Sequence, residues 1–73
     1  MKYIRFESAG IVLFRDGLSH KQLASHFPLD TPISAGFVRY NGENLVCHGD
    51  SMTLELKSNE DDTKALNSMC GVY

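Results

Sequence analysis

The sequence predicts an α+β fold: a small, mostly antiparallel sheet of three to four strands packed with two helices, in the order β-α-β-β-α. Three observations predict it. Residues 33–48 are two runs of β-forming residues on either side of Asn41-Gly42, the dipeptide most strongly associated with a two-residue hairpin turn. Ser19 and Ser58 each stand where a helix-period apolar pattern begins, and serine is a preferred N-cap. Between Lys2 and Phe14 lie two short β-rich pieces. At 73 residues the chain makes one small globular domain, 1–73. A chain of this size buries only about 60 % of the surface that its unfolded form exposes, so association with a partner or a second copy would stabilise it.

Taken in order, Lys2 to Phe6 alternates, with Ile4 and Phe6 on one side and Tyr3 and Arg5 on the other, as a half-buried strand does. Glu7-Ser8-Ala9-Gly10 interrupts it before the apolar run Ile11 to Phe14. One strand kinked or broken at Gly10 is the preferred reading, and a tight hairpin around Ser8 to Gly10 is the alternative. Arg15-Asp16-Gly17 is a turn, and the helix after Ser19 has Leu23, Ala24 and Phe27 as its apolar positions. Pro28, followed by Pro32, ends it. Beyond the hairpin, Gly49-Asp50-Ser51 is a turn, and Met52 to Leu56 has the alternation of a short edge strand. Ser58 caps the last helix, with Glu60, Asp61 and Asp62 in its first turn and Ser58-x-x-Asp61 in the manner of a capping box. Its apolar stripe is Ala65, Leu66, Met69 and Cys70, and Gly71 stands at a left-handed C-cap with Val72 behind it.

The central hairpin supplies the functional lead. A type I′ turn at Asn41-Gly42 sets Tyr40 opposite Glu43 and Val38 opposite Leu45. One face then carries Ile33, Ala35, Phe37 and Val46, and the other carries Gly36, Val38, Tyr40, Leu45 and Cys47. Both are largely apolar, so with helices on the first face the second needs a cover: a helix, another copy of the chain, or a partner. Val38, Tyr40, Leu45 and Cys47 are therefore the expected interface, with Tyr40 as its aromatic anchor.

Charge and composition narrow the function class. The formal net charge is −2, with seven Lys plus Arg placed singly and nine Asp plus Glu, four of them between Glu55 and Asp62. No basic patch is visible, which argues against nucleic acid unless folding gathers the scattered cations. No segment is long and apolar enough to span a membrane. The two cysteines, without a Cys-x-x-Cys pair or a secretory segment after Met1-Lys2, read as buried thiols of a cytoplasmic protein. His20, His26, His48, Cys47, Cys70 and Asp50 do not have the spacing of metal ligands. The sequence names no cofactor and no small-molecule substrate, and the chain is expected to be non-enzymatic.

Three stretches resemble known families. Gly49-Asp50-Ser51-Met52 resembles the box of the self-cleaving repressor and signal-peptidase-like serine proteases, which implies a nucleophilic serine and a lysine base some tens of residues downstream. The later lysines here, Lys57 and Lys64, lie too near or on the exposed side of an acidic helix, so an ordinary turn accounts for the match. Leu18 to Phe27 resembles the first helix of a helix-turn-helix. The implied recognition helix would then contain Pro32 and Gly36, with Arg39 its one cation, and a winged-helix regulator using Ser19 to Tyr40 is the alternative function. Finally, the order of the Tyr3–Phe6 strand, Leu18-Ser-His, Ser34-Ala-Gly-Phe37, His48-Gly-x-Ser51 and an acidic capped helix resembles small proteins encoded by tailed phages and prophages. That resemblance implies an accessory or host-modulating protein and supplies no functional residues.

Overall fold

The computed structural model describes residues 1–68; the expected roles of Met69, Cys70, Gly71 and Val72 lie outside them. Two strands, β1 (Lys2–Phe6) and β2 (Gly10–Phe14), precede helix α1 (His20–Ala24). Strands β3 (Pro32–Tyr40) and β4 (Leu45–His48) follow, then the two-residue strands β5 (Asp50–Ser51) and β6 (Leu56–Lys57), then helix α2 (Glu60–Ser68). The main sheet has the order β2-β1-β3-β4 with every pair antiparallel, and β5 and β6 form a second, two-stranded sheet. The fold is the expected α+β, with one strand more at its start and a small hairpin before α2.

The extra strand is a correction at the N-terminus: residues 2–14 are a hairpin and not one kinked strand. Gly10, at φ 77°, takes the left-handed conformation that closes the turn. The turn is tied from far along the chain by Asp30, whose carboxylate accepts from the Ser8 N–H and the Ala9 N–H, each at 2.9 Å. Because β2 and β3 both run antiparallel to β1, they are parallel to each other, and α1 is the crossover between them. Helix α1 is capped as expected. Ser19 Oγ accepts from the Gln22 N–H at 3.0 Å and the Gln22 side chain accepts from the Ser19 N–H at 2.8 Å, a full capping box.

The central hairpin is present, but its turn sits one residue further along. Tyr40 pairs with Leu45 and Val38 with Cys47, and the Asn41 N–H donates to the Asn44 carbonyl at 3.1 Å, leaving Gly42-Glu43 as the turn. A type I′ turn at Asn41-Gly42 would need φ > 0 at both residues, and only Gly42, at 101°, has it. Asn41 instead turns its carboxamide inward, accepting from the N–H groups of Glu43 and Asn44 at 3.0 and 2.8 Å. Each residue's partner moves by two, so every side chain keeps its expected face.

Those two faces build two cores. On one, Ile4, Phe6, Val12, Phe14 and Ala35 pack with Leu23 of α1, and Phe27, Leu54 and Leu56 close around them. The Phe27 ring lies 4.6 Å from that of Phe6, which anchors the chain leaving α1. On the other, Tyr3, Ile11, Leu13 and Val38 pack with Leu66 of α2. Full burial of one such side chain contributes about 1.5–3 kcal/mol. Gly36 leaves no room for a larger residue: a Cβ there would collide with the His48 carbonyl oxygen.

Candidate functional site

Helix α2 covers the face expected to serve as an interface. Val38 is 7 % exposed, and Leu45 and Cys47 are half-buried against the core it forms with Leu66 and Ala65. Tyr40 alone of the four is presented to solvent, 67 % exposed, its hydroxyl donating to the Gly42 carbonyl at 2.8 Å. The cover that this face requires is thus the chain's own helix. The opposite face, expected to lie beneath helices, is only partly covered, and Phe37 reaches solvent there; Ile33, left without a β1 partner where the β1–β3 register shifts, is also exposed.

The docking of α2 is specified by polar chemistry. Along its inner side, Thr63 and Asn67 are four residues apart and meet the outer edge of β4. The Cys47 N–H donates to Thr63 Oγ1 at 3.0 Å, the Leu45 N–H donates to Asn67 Oδ1 at 3.3 Å, and Asn67 Nδ2 donates to the Leu45 carbonyl at 2.8 Å. Groups that would otherwise template another strand are satisfied within the chain. At the other end of the helix, Asp62 is fully buried. Its carboxylate accepts from the Tyr3 hydroxyl, from Arg5 Nη1 at 3.1 Å and from the Asn59 N–H at 2.9 Å. Asn59, and not Ser58, is therefore the cap: Asp62, at the third helical position, accepts from the Asn59 N–H, and the Asn59 side chain accepts from the Asp61 N–H at 3.2 Å.

Burial alone would push the Asp62 carboxyl up; the hydrogen bonds from Tyr3, Asn59 and Arg5 outweigh it and hold the group below its ordinary value. The same arrangement acts in reverse on its neighbours. Burial, then the hydrogen bond to Asp62 and its charge, raise the Tyr3 hydroxyl far above the usual tyrosine range, and burial with the charge of Asp62 pushes the Cys47 thiol up to about 11. A thiol held protonated in this way is a poor nucleophile.

The expected turn at Gly49-Asp50-Ser51 is not formed as such: Asp50 and Ser51 are strand β5, and only Gly49 lies outside a strand. Gly49 has φ 76°, and Ser51 Oγ, almost completely buried, accepts from the Leu54 N–H at 3.3 Å and lies 3.4 Å from Thr53 Oγ1. Met52 to Glu55 is a turn and not an edge strand, which leaves Met52 87 % exposed. The segment that a regulator would need as its recognition helix, with Pro32 and Gly36 inside it, runs into strand β3 instead. Among the described residues no group of three or more His, Cys, Asp and Glu side chains is placed to hold a metal ion, and no helix is long and apolar enough to cross a membrane.

The folded chain also creates a hollow that no motif announces. It measures about 290 Å³ and is lined by Lys2, Ser19, His20, Phe37 and residues 50–53. His20, 5 % exposed, is fixed at its base, its ring edge-to-face with Phe14 at 5.4 Å and with Phe37 at 5.6 Å. Its Nε2 lies 2.8 Å from the Gly36 carbonyl oxygen. A carbonyl only accepts, so Nε2 carries the proton. Lys2 Nζ donates to the Leu18 carbonyl at 2.8 Å, at the entry to α1. Comparison of the chain with protein-family models, with curated proteins and with solved structures gives no match. The functional reading therefore rests on these residues alone.

Proposed function

We propose that the chain is a non-enzymatic protein-interaction module of the cytoplasm, an accessory or host-modulating protein that acts by self-association or by binding a protein partner. The observation that carries this reading is the pattern of apolar exposure. Phe37 reaches solvent from the incompletely covered face, Ile33 is exposed at the β1–β3 register shift, and Met52 projects from the β5–β6 turn beside Phe37, the two lining one hollow. The two core clusters, by contrast, are covered by the chain's own elements. Apolar side chains on a compact scaffold are the material of interface anchors. With the β4 edge closed by α2 and β2 buried along its length from Ile11 to Phe14, docking by side chains is favoured over addition of a strand. A reducing cytoplasm suits the protonated Cys47 thiol.

The test compares the wild-type chain with an Ile33→Lys, Met52→Lys double variant, by light scattering after size exclusion across a micromolar range and by retention of cellular protein on the immobilised chain. The wild type is expected to rise in mass with concentration or to retain a protein that the variant loses, while circular dichroism shows both folded. A wild type that stays monomeric and retains nothing beyond what the variant retains would overturn the reading.

A further inference from the structure

We propose that the hollow between Lys2, His20, Phe37 and the β5–β6 turn binds a free α-amino acid with an apolar side chain. This goes beyond the interaction reading and does not require it. Charge is the first reason. Lys2 and Asp50 line the same small space, yet the ion pairs among the described residues join other groups: the Met1 α-amino group with Asp16, and Arg5 with Asp62. Lys57, the cross-strand partner of Asp50 in β5–β6, forms no ion pair with it either. Two opposite charges that line one hollow without pairing with each other complement a dipolar ion. A carboxylate is drawn to the Lys2 ammonium, which spends one donor on Leu18 and keeps two, and an ammonium is drawn to the Asp50 carboxylate.

The second reason is His20. With Nε2 donating to Gly36, Nδ1 is left as a lone-pair acceptor, and among the described residues no protein group donates to it. A fixed imidazole with an unused lone pair suits a ligand N–H, and an α-ammonium supplies one to His20 and another to Asp50. The third reason is size and polarity. Phe37 and Met52 provide an apolar wall, and about 290 Å³ lies at the small end of ligand sites, which suits an amino acid rather than a nucleotide cofactor.

The experiment is a proton–nitrogen correlation titration of the labelled full chain with L-leucine and L-methionine up to about 20 mM, a range that detects millimolar binding. N-acetyl-L-leucine, lacking the ammonium, and L-leucinamide, lacking the carboxylate, are titrated in parallel. Saturable shifts are expected at the amides of Lys2, His20, Phe37 and residues 50–53, together with a shift of the His20 Nδ1 resonance. Each blocked analogue, and each of the variants Lys2→Met and Asp50→Asn, should bind at least about tenfold more weakly, the loss expected when one charged hydrogen-bond partner is removed. The proposal is overturned if no residue shifts saturably, or if both blocked analogues bind as well as leucine. The analogue arm changes only the ligand, so it decides the matter even if a variant fails to fold. Loss of amino-acid binding with self-association intact would remove this proposal and leave the interaction reading standing.

Discussion

The two faces of the sheet are both apolar, yet they are finished in different ways. The Val38 face is sealed by α2, and the seal is written in polar side chains: Thr63 and Asn67 hold the edge of β4, and Asp62 gathers Tyr3, Arg5 and the Asn59 N–H. On the Phe37 face, α1 spans five residues and covers the part over β1 and β2, while Phe37 and the neighbouring Met52 stay in contact with solvent. The difference teaches that an apolar stripe states a need for cover without stating its source. What identifies the source is the polar chemistry at the rim, where a helix must satisfy backbone groups and fix its own register.

The largest expected effect comes from breaking the sealed face. Introducing charge with Val38→Glu and Leu45→Lys would be tolerated on an open interface. Beneath α2 the pair should cost more than about 4–5 kcal/mol, comparable with the entire stability of many small domains, so the cooperative unfolding transition should disappear from thermal and urea melts. The exposed Met52→Lys change should stay within about 0.5 kcal/mol of wild type. Equal tolerance of the two would remove the contrast between the faces.

Next in size is Asp62→Ala. It strands the buried Tyr3 hydroxyl, uncaps α2 and leaves Arg5, about a third exposed, without its partner. Breaking a buried charged pair costs about 3–5 kcal/mol, and the exposure of Arg5 puts the expectation at the lower end. Urea unfolding measures it. If Tyr3→Phe, which removes only one donor, costs as much as Asp62→Ala, then the hydroxyl and not the carboxylate organises the site.

This hub also marks where the sequence stopped being legible. An acidic residue in the first turn of a helix is already explained by the helix dipole, so nothing in Glu60-Asp61-Asp62 separated the buried carboxylate from its exposed neighbours. The signal was there in a weaker form. Asn59-x-x-Asp62 is as good a capping box as Ser58-x-x-Asp61, and Tyr3, on a strand face otherwise meant for a core, needed a partner for its hydroxyl. The N-terminal hairpin was obscured for a different reason: Glu7-Ser8-Ala9 has no strong turn dipeptide, and the group that ties it, Asp30, is more than twenty residues away. Local chemistry was read correctly at the Ser19 N-cap and in the assignment of side chains to faces of the central hairpin, whereas at Asn41-Gly42 and at Ser58 the turn and the cap fell one residue further along.

A pH scan probes the same contrast at smaller amplitude. Asp62 and Asp30 lie below their ordinary values in the folded chain, Asp30 chiefly through the Ser8 N–H. Their contribution is complete above the unfolded carboxylate range, about pH 4, and is lost as pH falls through the folded values. Tyr3 and Cys47 are raised, so their contribution is complete below their unfolded values, about 10 and about 8.5, and is lost as pH rises, for Cys47 through about 11. Stability measured by urea unfolding should therefore fall on both sides of a plateau. Cys47→Ala should flatten the alkaline limb from about pH 8.5 to 11; an unchanged limb would mean that the thiol does not sense the hub.

The smallest effect has the least obvious sign. Ser34, opposite Arg5 in the β1–β3 ladder, is buried on the sealed face, and its hydroxyl makes no hydrogen bond of acceptable geometry. It lies close enough to Asp62, however, to favour the charged carboxylate. A buried hydroxyl without a partner is a cost that Ser34→Ala removes, whereas a hydroxyl supporting a buried carboxylate is a gain that the same change would forfeit. Tyr3, Arg5 and Asn59 already occupy both carboxylate oxygens of Asp62, so the cost should dominate. Ser34→Ala is expected to leave stability unchanged or raise it by up to about 0.5 kcal/mol. A loss of about 1 kcal/mol or more in urea unfolding would show that the hydroxyl is a working member of the hub, and that the seal under α2 extends one residue further along β3 than its hydrogen bonds alone indicate.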